Sequence, residues 1–324
     1  MRATNITAGG NRTATFFCIR EEWLDARRGG IGSSDAASLF EAEIIEESKG
    51  EERPFKSRLA LYADKVGAAE DSDLSQNQRV AWGTRLEATV AEAFFELSGA
   101  TPIAMPPLTL YRRTDLPMQA TPDRLIEGDP VRILEVKTAG SEQAKRWGED
   151  GDPDGVPLRY QIQVQHQLAV LGLPVAHLAV LIGGNDFRTY EIAADAGFAA
   201  VLERRVREFW AAVVAREAPE PGPLDLDVVR SLYRRASVGK SVRIEAREAD
   251  VLLDEYELAN RVAKDAEAQA NTAKARLMAL LGDAEEGVLP SGRSLLWREQ
   301  VRQVKPQPAR EDRFRVFSVR VPKK

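Results

Sequence analysis

The chain has 324 residues, which at ~100–200 residues per domain is enough for two structural units. Its 44% hydrophobic and 29% charged residues are those of a globular chain, not of a disordered or membrane-embedded one. A net charge of -5 restricts any nucleic-acid binding to a local basic patch. A single cysteine, Cys18, and two histidines, His166 and His177, exclude an intrachain disulfide, a Cys-only zinc site, an iron–sulfur cluster and a multi-histidine site, so any metal is expected to be hard and oxygen-ligated.

Residues 1–11 lack the basic-then-apolar pattern of a signal peptide. The longest apolar stretch, 168–184, is interrupted by Pro174 and His177 and falls short of the ~20 unbroken apolar residues that span a bilayer. A cytosolic protein is expected. Residues 23–28 begin a short helix, and Gly29-Gly30-Ile31-Gly32-Ser33-Ser34-Asp35 is a glycine-rich turn into a second helix, 35–40. The acidic stretch 41–52 reads as a solvated insertion, 55–66 as helix and 69–76 as a polar connector. In 84–97, Leu86, Val90, Ala91, Phe94, Phe95 and Leu97 form one apolar stripe, and Gly99 ends that helix.

Strand-like runs follow at 108–112, 118–126 and 131–138, and the Glu127-Gly128-Asp129-Pro130 turn joins the last two as a hairpin. A helix at 160–171, strands at 177–182 and 190–192 and a helix at 199–216 complete an α/β layout around one central mixed sheet. Pro219-Glu220-Pro221-Gly222-Pro223 marks a boundary. The expected domains are a core at 1–218, a linker at 219–249 and an accessory unit at 250–324.

In the last unit, Leu252, Tyr256, Ala259, Ala263, Ala266, Ala270, Ala273, Leu277 and Leu280 recur at alternating spacings of four and three, a heptad-like seam on a helix of ~30 residues. Its expected use is packing against this chain's own helices or an antiparallel neighbour; a partner-binding zipper is the alternative. Residues 293–324 carry ten basic and three acidic side chains, and Phe314, Val316, Phe317, Val319 and Val321 suggest a strand there.

The stretch that carries chemistry is Pro122-Asp123 followed by Ile133-Leu134-Glu135-Val136-Lys137. On a strand Glu135 and Lys137 project from one face, while Leu134 and Val136 point the other way into the core. Asp123 lies 12 residues before Glu135 and, across a hairpin, its carboxylate can converge with that of Glu135. Charge on a half-buried face is expensive, and a bound divalent cation would supply a reason for it. Pro-Asp is also a common turn, and Glu-x-Lys a common solvated strand face. Two neighbouring features fit the cation reading. Glu87, near the start of the 84–97 helix, is either a complement to the helix dipole or a further ligand. The glutamines of 160–167 fall on two helix faces, Gln163 and Gln167 with Tyr160 on one, Gln161 and Gln165 on the other.

These residues follow the PD-(D/E)xK pattern, and the ordered set resembles the YqaJ-type viral recombinase family, relatives of the phage lambda alkaline exonuclease. The matching blocks are 23–35 (Trp-x3-Arg, then Gly-Ile-Gly-Ser-Ser-Asp), 83–87, Thr121-Pro122-Asp123 with 134–137, and 160–172, with 59–67 also similar. The resemblance covers residues 20–215. It implies a restriction-endonuclease-like core, here with a C-terminal extension of a long helix and a strand. It also implies Mg²⁺-dependent (or Mn²⁺-dependent) 5′→3′ digestion of linear double-stranded DNA, with 3′ tails passed to a single-strand annealing protein.

By motif position Glu87, Asp123 and Glu135 would hold metal, with the Val136 carbonyl as a further ligand. Lys137 would be the catalytic lysine and Gln163 the motif glutamine, Gln165 being the competing choice. Arg27, or its neighbour Arg28, and Ser34 would bind the terminal 5′-phosphate. The resemblance further implies a trimeric ring, and a phage or prophage origin in a bacterial cytoplasm. Other readings are a restriction-like or junction-cleaving endonuclease on the same core, or a non-catalytic DNA-binding or assembly module built on the long helix and basic tail.

Overall fold

In the computed structural model, residues 4–7, 11–69, 77–237, 239–245 and 248–299 are described. In chain order the first elements are β1 (Thr4–Thr7), β2 (Arg12–Phe16), α1 (Arg20–Arg28), α2 (Ser33–Ala36), α3 (Glu41–Glu47), α4 (Arg58–Lys65) and α5 (Gln78–Ser98). Next come β3 (Pro102–Ile103), β4 (Thr109–Arg113), β5 (Gln119–Ala120), β6 (Arg124–Ile126), β7 (Arg132–Ala139) and α6 (Leu158–Leu171). The rest are β8 (Val175–Ile182), β9 (Asp186–Ala193), α7 (Ala196–Ala215), α8 (Leu226–Leu232), α9 (Glu248–Leu281), β10 (Glu286–Val288) and β11 (Ser294–Leu296).

A five-stranded mixed sheet runs β3-β6-β7-β8-β9, with β7 and β8 parallel and the other pairs antiparallel. The β6–β7 hairpin forms as its turn predicts, with Arg124 opposite Leu134. Side-chain alternation along β7 then sorts its residues. Leu134 and Val136 pack with Val90, Ala91 and Phe94 of α5, while Ile133 joins Tyr160, Val164 and Leu168 of α6 in a second cluster. The sheet is thus covered by α5 on one face and α6 on the other, the α/β class read from the sequence. A second antiparallel sheet has the order β1-β2-β4-β5.

Four local expectations are corrected. The run 118–126 is two strands in two sheets, because Pro122 has no N–H to continue a ladder. Helix α5 starts at Gln78, capped by the Asn77 side chain accepting from the backbone N–H groups of Arg79 and Val80. Gly83, a weak helix former, hides this start, so Glu87 stands well inside the helix and is not a first-turn complement to its dipole. Helix α2 begins at Ser33 and not at Asp35. Residues 41–52 are no solvated insertion: 41–47 are helical, and Ile44 and Glu52 are buried.

The chain divides into two compact units, Met1–Arg234 and Arg235–Lys324, so the proline-rich 219–223 stretch lies inside the first. There Val228, Val229 and Leu232 of α8 pack on the core cluster that holds Leu59, Leu61 and Tyr62. In the second unit, α9 spans 34 residues without one being buried, and β10 and β11 form an antiparallel hairpin. The strand expected around 314–321 and most of the basic tail lie outside the described residues, as do seven of the residues read as the polar connector. Among the described residues no helix is long and apolar enough to cross a membrane.

Candidate functional site

Glu135 is the centre of the arrangement. It is 2% exposed, and both its oxygens are occupied. Oε1 accepts hydrogen bonds from Lys137 Nζ and from Gln163 Nε2 (2.5 Å), and Oε2 accepts from Gln167 Nε2 (2.6 Å). Such donors are what a carboxylate taken out of water requires. Lys137 comes from β7 itself and the two amides from one face of α6, where the four-residue spacing of Gln163 and Gln167 stacks both side chains over β7. Gln165 points elsewhere: its side chain donates to the Ala193 carbonyl and accepts from Asp195 N–H, bracing the start of α7. Of the two glutamines left open by the sequence, Gln163 is the one that contacts Glu135. It adds Gln167, whose shared face with Gln163 was visible in the sequence but whose partner was not.

Asp123 reaches Glu135 from the other arm of the hairpin. Its Oδ2 accepts from the Val136 N–H at 2.8 Å, so β7 ties down this carboxylate through a backbone donor. Removal from water, then the charges of Glu135 and Glu87, push the Asp123 carboxyl up to about 8, against the opposing pull of Lys137. Burial works against the Lys137 ammonium, but Glu135 and Asp123 outweigh it and raise its pKa above the usual lysine value. Glu87 is joined to the hairpin through Arg124, whose Nη1 donates to Glu87 Oε1 (2.9 Å) and to the Asp123 carbonyl (2.6 Å). Arg124 was not singled out by sequence reasoning; nothing in its spacing marks it.

A cleft of about 900 Å³ is lined both by residues of this cluster and by the glycine-rich turn. Its walls include Asp123, Glu87 and Gln163 together with Arg27, Ser33 and Ser34. Arg27 is held by its own surroundings: its guanidinium lies 4.5 Å from the Trp23 ring centroid, and its carbonyl accepts from Gln119 Nε2 and from Lys65 Nζ (3.4 Å). Lys65, its side chain 3% exposed, also donates to Asp35 Oδ2 at 3.0 Å. Burial opposes the Asp35 charge, but Lys65 and Lys56 hold its carboxyl below the usual range. The turn between α1 and α2 is thereby pinned by a buried ion pair. Arg28 faces away and pairs with Asp25 at 2.6 Å, outside the cleft. Three polar atoms of cleft-lining residues are buried without a hydrogen-bond partner: Trp23 Nε1, Ser33 Oγ and Thr121 Oγ1. Orphaned donors beside an arginine suit an oxyanion.

The donor chemistry of Asp123, Glu135 and Glu87 is all hard oxygen, and the Asp123 carboxyl, raised first by burial and then by its carboxylate neighbours, is one whose charge a divalent cation would stabilise. These residues fit such an ion chemically. In the arrangement observed, no three His, Cys, Asp or Glu side chains among the described residues are gathered tightly enough to hold one. Glu135 is engaged by its three donors and Glu87 by Arg124, so the expected three-carboxylate cluster is a pair with the third held beside it.

Comparison with known proteins gives a family match over part of the chain. Residues 22–174 match the model of the YqaJ-like viral recombinase domain, a span that takes in α1, Glu87, the hairpin and α6. This stretch is similar to the YqaJ-like viral recombinase domain. Over 275 residues the chain is 29% identical to the uncharacterized protein YqaJ of Bacillus subtilis (strain 168), covering 83% of this chain and 81% of that one. Among solved structures it is similar to an alkaline exonuclease from Laribacter hongkongensis, LHK-Exo. The identity is 19%, the coverage 61% of this chain and 94% of that one, and the TM-score 0.44. It is also similar to LHK-Exo in complex with dAMP, at 19% identity over 61% and 94% of the two chains and a TM-score of 0.43. The matched span, residues 22–174, contains every residue placed around the cleft above.

Proposed function

We propose that this protein is a divalent-cation-dependent nuclease that digests linear double-stranded DNA from 5′-phosphorylated ends in the 5′→3′ direction. The 3′ tails it leaves would pass to a single-strand annealing protein in phage-type recombination. One observation carries the reading: Asp123, Glu135, Lys137 and Gln163 meet across a hairpin and a helix face, beside a cleft that Arg27 and the orphaned Ser33 and Thr121 hydroxyls also line. The domain match supports a recombination role, and its span takes in this arrangement.

The residues divide the work. Arg27 binds the terminal phosphate through its planar fork, and Ser33, Ser34 and Thr121 donate to its oxygens. That contact fixes which end enters. Lys137 carries an ammonium kept charged by its carboxylate neighbours and places it beside the phosphate to be cleaved, where negative charge grows during hydrolysis. Gln163 and Gln167 hold the Glu135 side chain in one rotamer. Asp123 and Glu135, with Glu87 and the Val136 carbonyl nearby, would hold Mg²⁺ or Mn²⁺, which when bound polarises phosphate oxygens and acidifies water. A homo-oligomer, a trimeric ring around DNA, belongs to the same reading.

The test is digestion of 5′-phosphorylated linear duplex by the full chain with Mg²⁺, comparing wild type with Lys137→Ala. The variant should lose at least ~100-fold in rate, the usual contribution of a positioned proton-transfer or charge-stabilising group. Closed circles should stay intact. A folded wild-type protein that leaves linear DNA untouched would overturn the nuclease reading, and cutting of circles would replace it with an endonuclease.

A further inference from the structure

Two arginines stack on exposed rings: Arg85 over Trp82 at 5.2 Å and Arg159 over Phe55 at 5.4 Å. A single exposed apolar side chain is ordinary on a protein surface. What sets Phe55, 64% exposed, apart is what lies behind it. The Arg159 guanidinium is 4.7 Å from the Tyr160 ring centroid as well, and its Nη2 donates to the Tyr160 hydroxyl at 3.1 Å. The same Tyr160 ring has Lys137 Nζ 5.5 Å from its centroid. The Arg159 guanidinium thus sits beside both rings, and Lys137 lies against the inner one. The Phe55 and Tyr160 centroids are 6.3 Å apart.

The charges along this run do not balance. Lys137 has Glu135. Arg159 has no carboxylate partner among the described residues, and its Nε is buried without an acceptor. A flat cation with unspent charge, lying beside an exposed aromatic ring, is complementary to a nucleotide, which offers a π-face and an anionic phosphate together. An acidic protein segment would satisfy the charge but leave the ring without a planar partner.

We propose that Phe55 and Arg159 form a docking surface for an unpaired nucleotide of a DNA strand, the ring stacking on its base and the guanidinium contacting its phosphate. This rests on the reading of DNA as the substrate, and it adds a place where a single strand is held next to Lys137. The Trp82–Arg85 pair has no such link to the lysine.

Binding of a fluorescent oligothymidylate to the full chain, followed by anisotropy in the presence of a chelator, tests the proposal without cleavage. Phe55→Ala should weaken binding about tenfold, the effect of losing one stacked base, while Phe55→Tyr stays close to wild type. Arg159→Gln should weaken binding and lower the salt slope by about one. In Phe55→Trp, indole emission should be quenched as oligonucleotide is added. Unchanged affinity in Phe55→Ala, or wild-type binding by Phe55→Leu, overturns the surface, and capture of a protein instead of DNA by Phe55 would do the same. Wild type that binds through Phe55 but never digests duplex would leave this surface standing and remove the nuclease. Digestion with a neutral Phe55→Ala would do the reverse.

Discussion

Helices α6 and α9 are both rich in polar side chains, yet they are opposite kinds of helix. In the 14 residues of α6, eight are buried, and Gln163, His166 and Gln167 are among them. In the 34 residues of α9 none is buried, although its apolar seam is longer and more regular. The difference teaches that regularity of pattern does not measure burial. A polar side chain is buried where a specific partner meets it, as Glu135 meets Gln163 and Gln167 and as the Gln119 carbonyl meets the His166 ring at 3.1 Å. An apolar stripe of alanines offers little area to cover, so its burial is worth little per residue.

The sharpest way to break this comparison is a truncation on each helix. Ile162→Ala, at a fully buried α6 position, should cost about 2–5 kcal/mol in denaturant unfolding, the range for large-to-small core changes. An Ile162→Ala variant of wild-type stability would mean that α6 is not the core helix it is taken to be.

Next comes acid. Burial lowers the His166 pKa to about 4, well below that of an unfolded histidine at ~6.5. Between those values the unfolded chain binds the extra proton. Stability should therefore be full above pH 6.5 and fall by about 3 kcal/mol as pH drops towards 4. Urea unfolding across this window checks it, and His166→Gln should flatten the slope.

A finer test separates the two glutamine faces of α6. Gln167→Ala should cost about 1–3 kcal/mol by leaving a Glu135 oxygen without its donor, and should lower DNA digestion as well. Gln165→Ala removes only bonds at the start of α7 and should leave digestion unchanged. Equal loss of activity in both would remove the distinction drawn here.

The smallest effect is expected on α9. Leu252→Ser, at an exposed seam position, should alter stability by no more than ~0.5 kcal/mol. A larger change would show that the seam is covered in solution.

Elements that rest on local chemistry are legible in the residues alone. The Glu127–Pro130 turn and alternation along 133–137 placed Glu135 and Lys137 on one strand face and Leu134 and Val136 on the other, as β7 shows. Turn residues and side-chain period act over a few neighbours, so they can be read without a fold. The same spacing put Gln163 and Gln167 on one face of α6. Only the tertiary structure decided that Glu135 lies under that face and that Gln165 serves α7. It alone revealed Arg124 linking Glu87 to the hairpin, Lys65 buried beneath Arg27, and Arg28 outside the cleft. Those outcomes depend on partners up to 38 residues away in the chain, and no local pattern encodes which distant group will satisfy a buried charge.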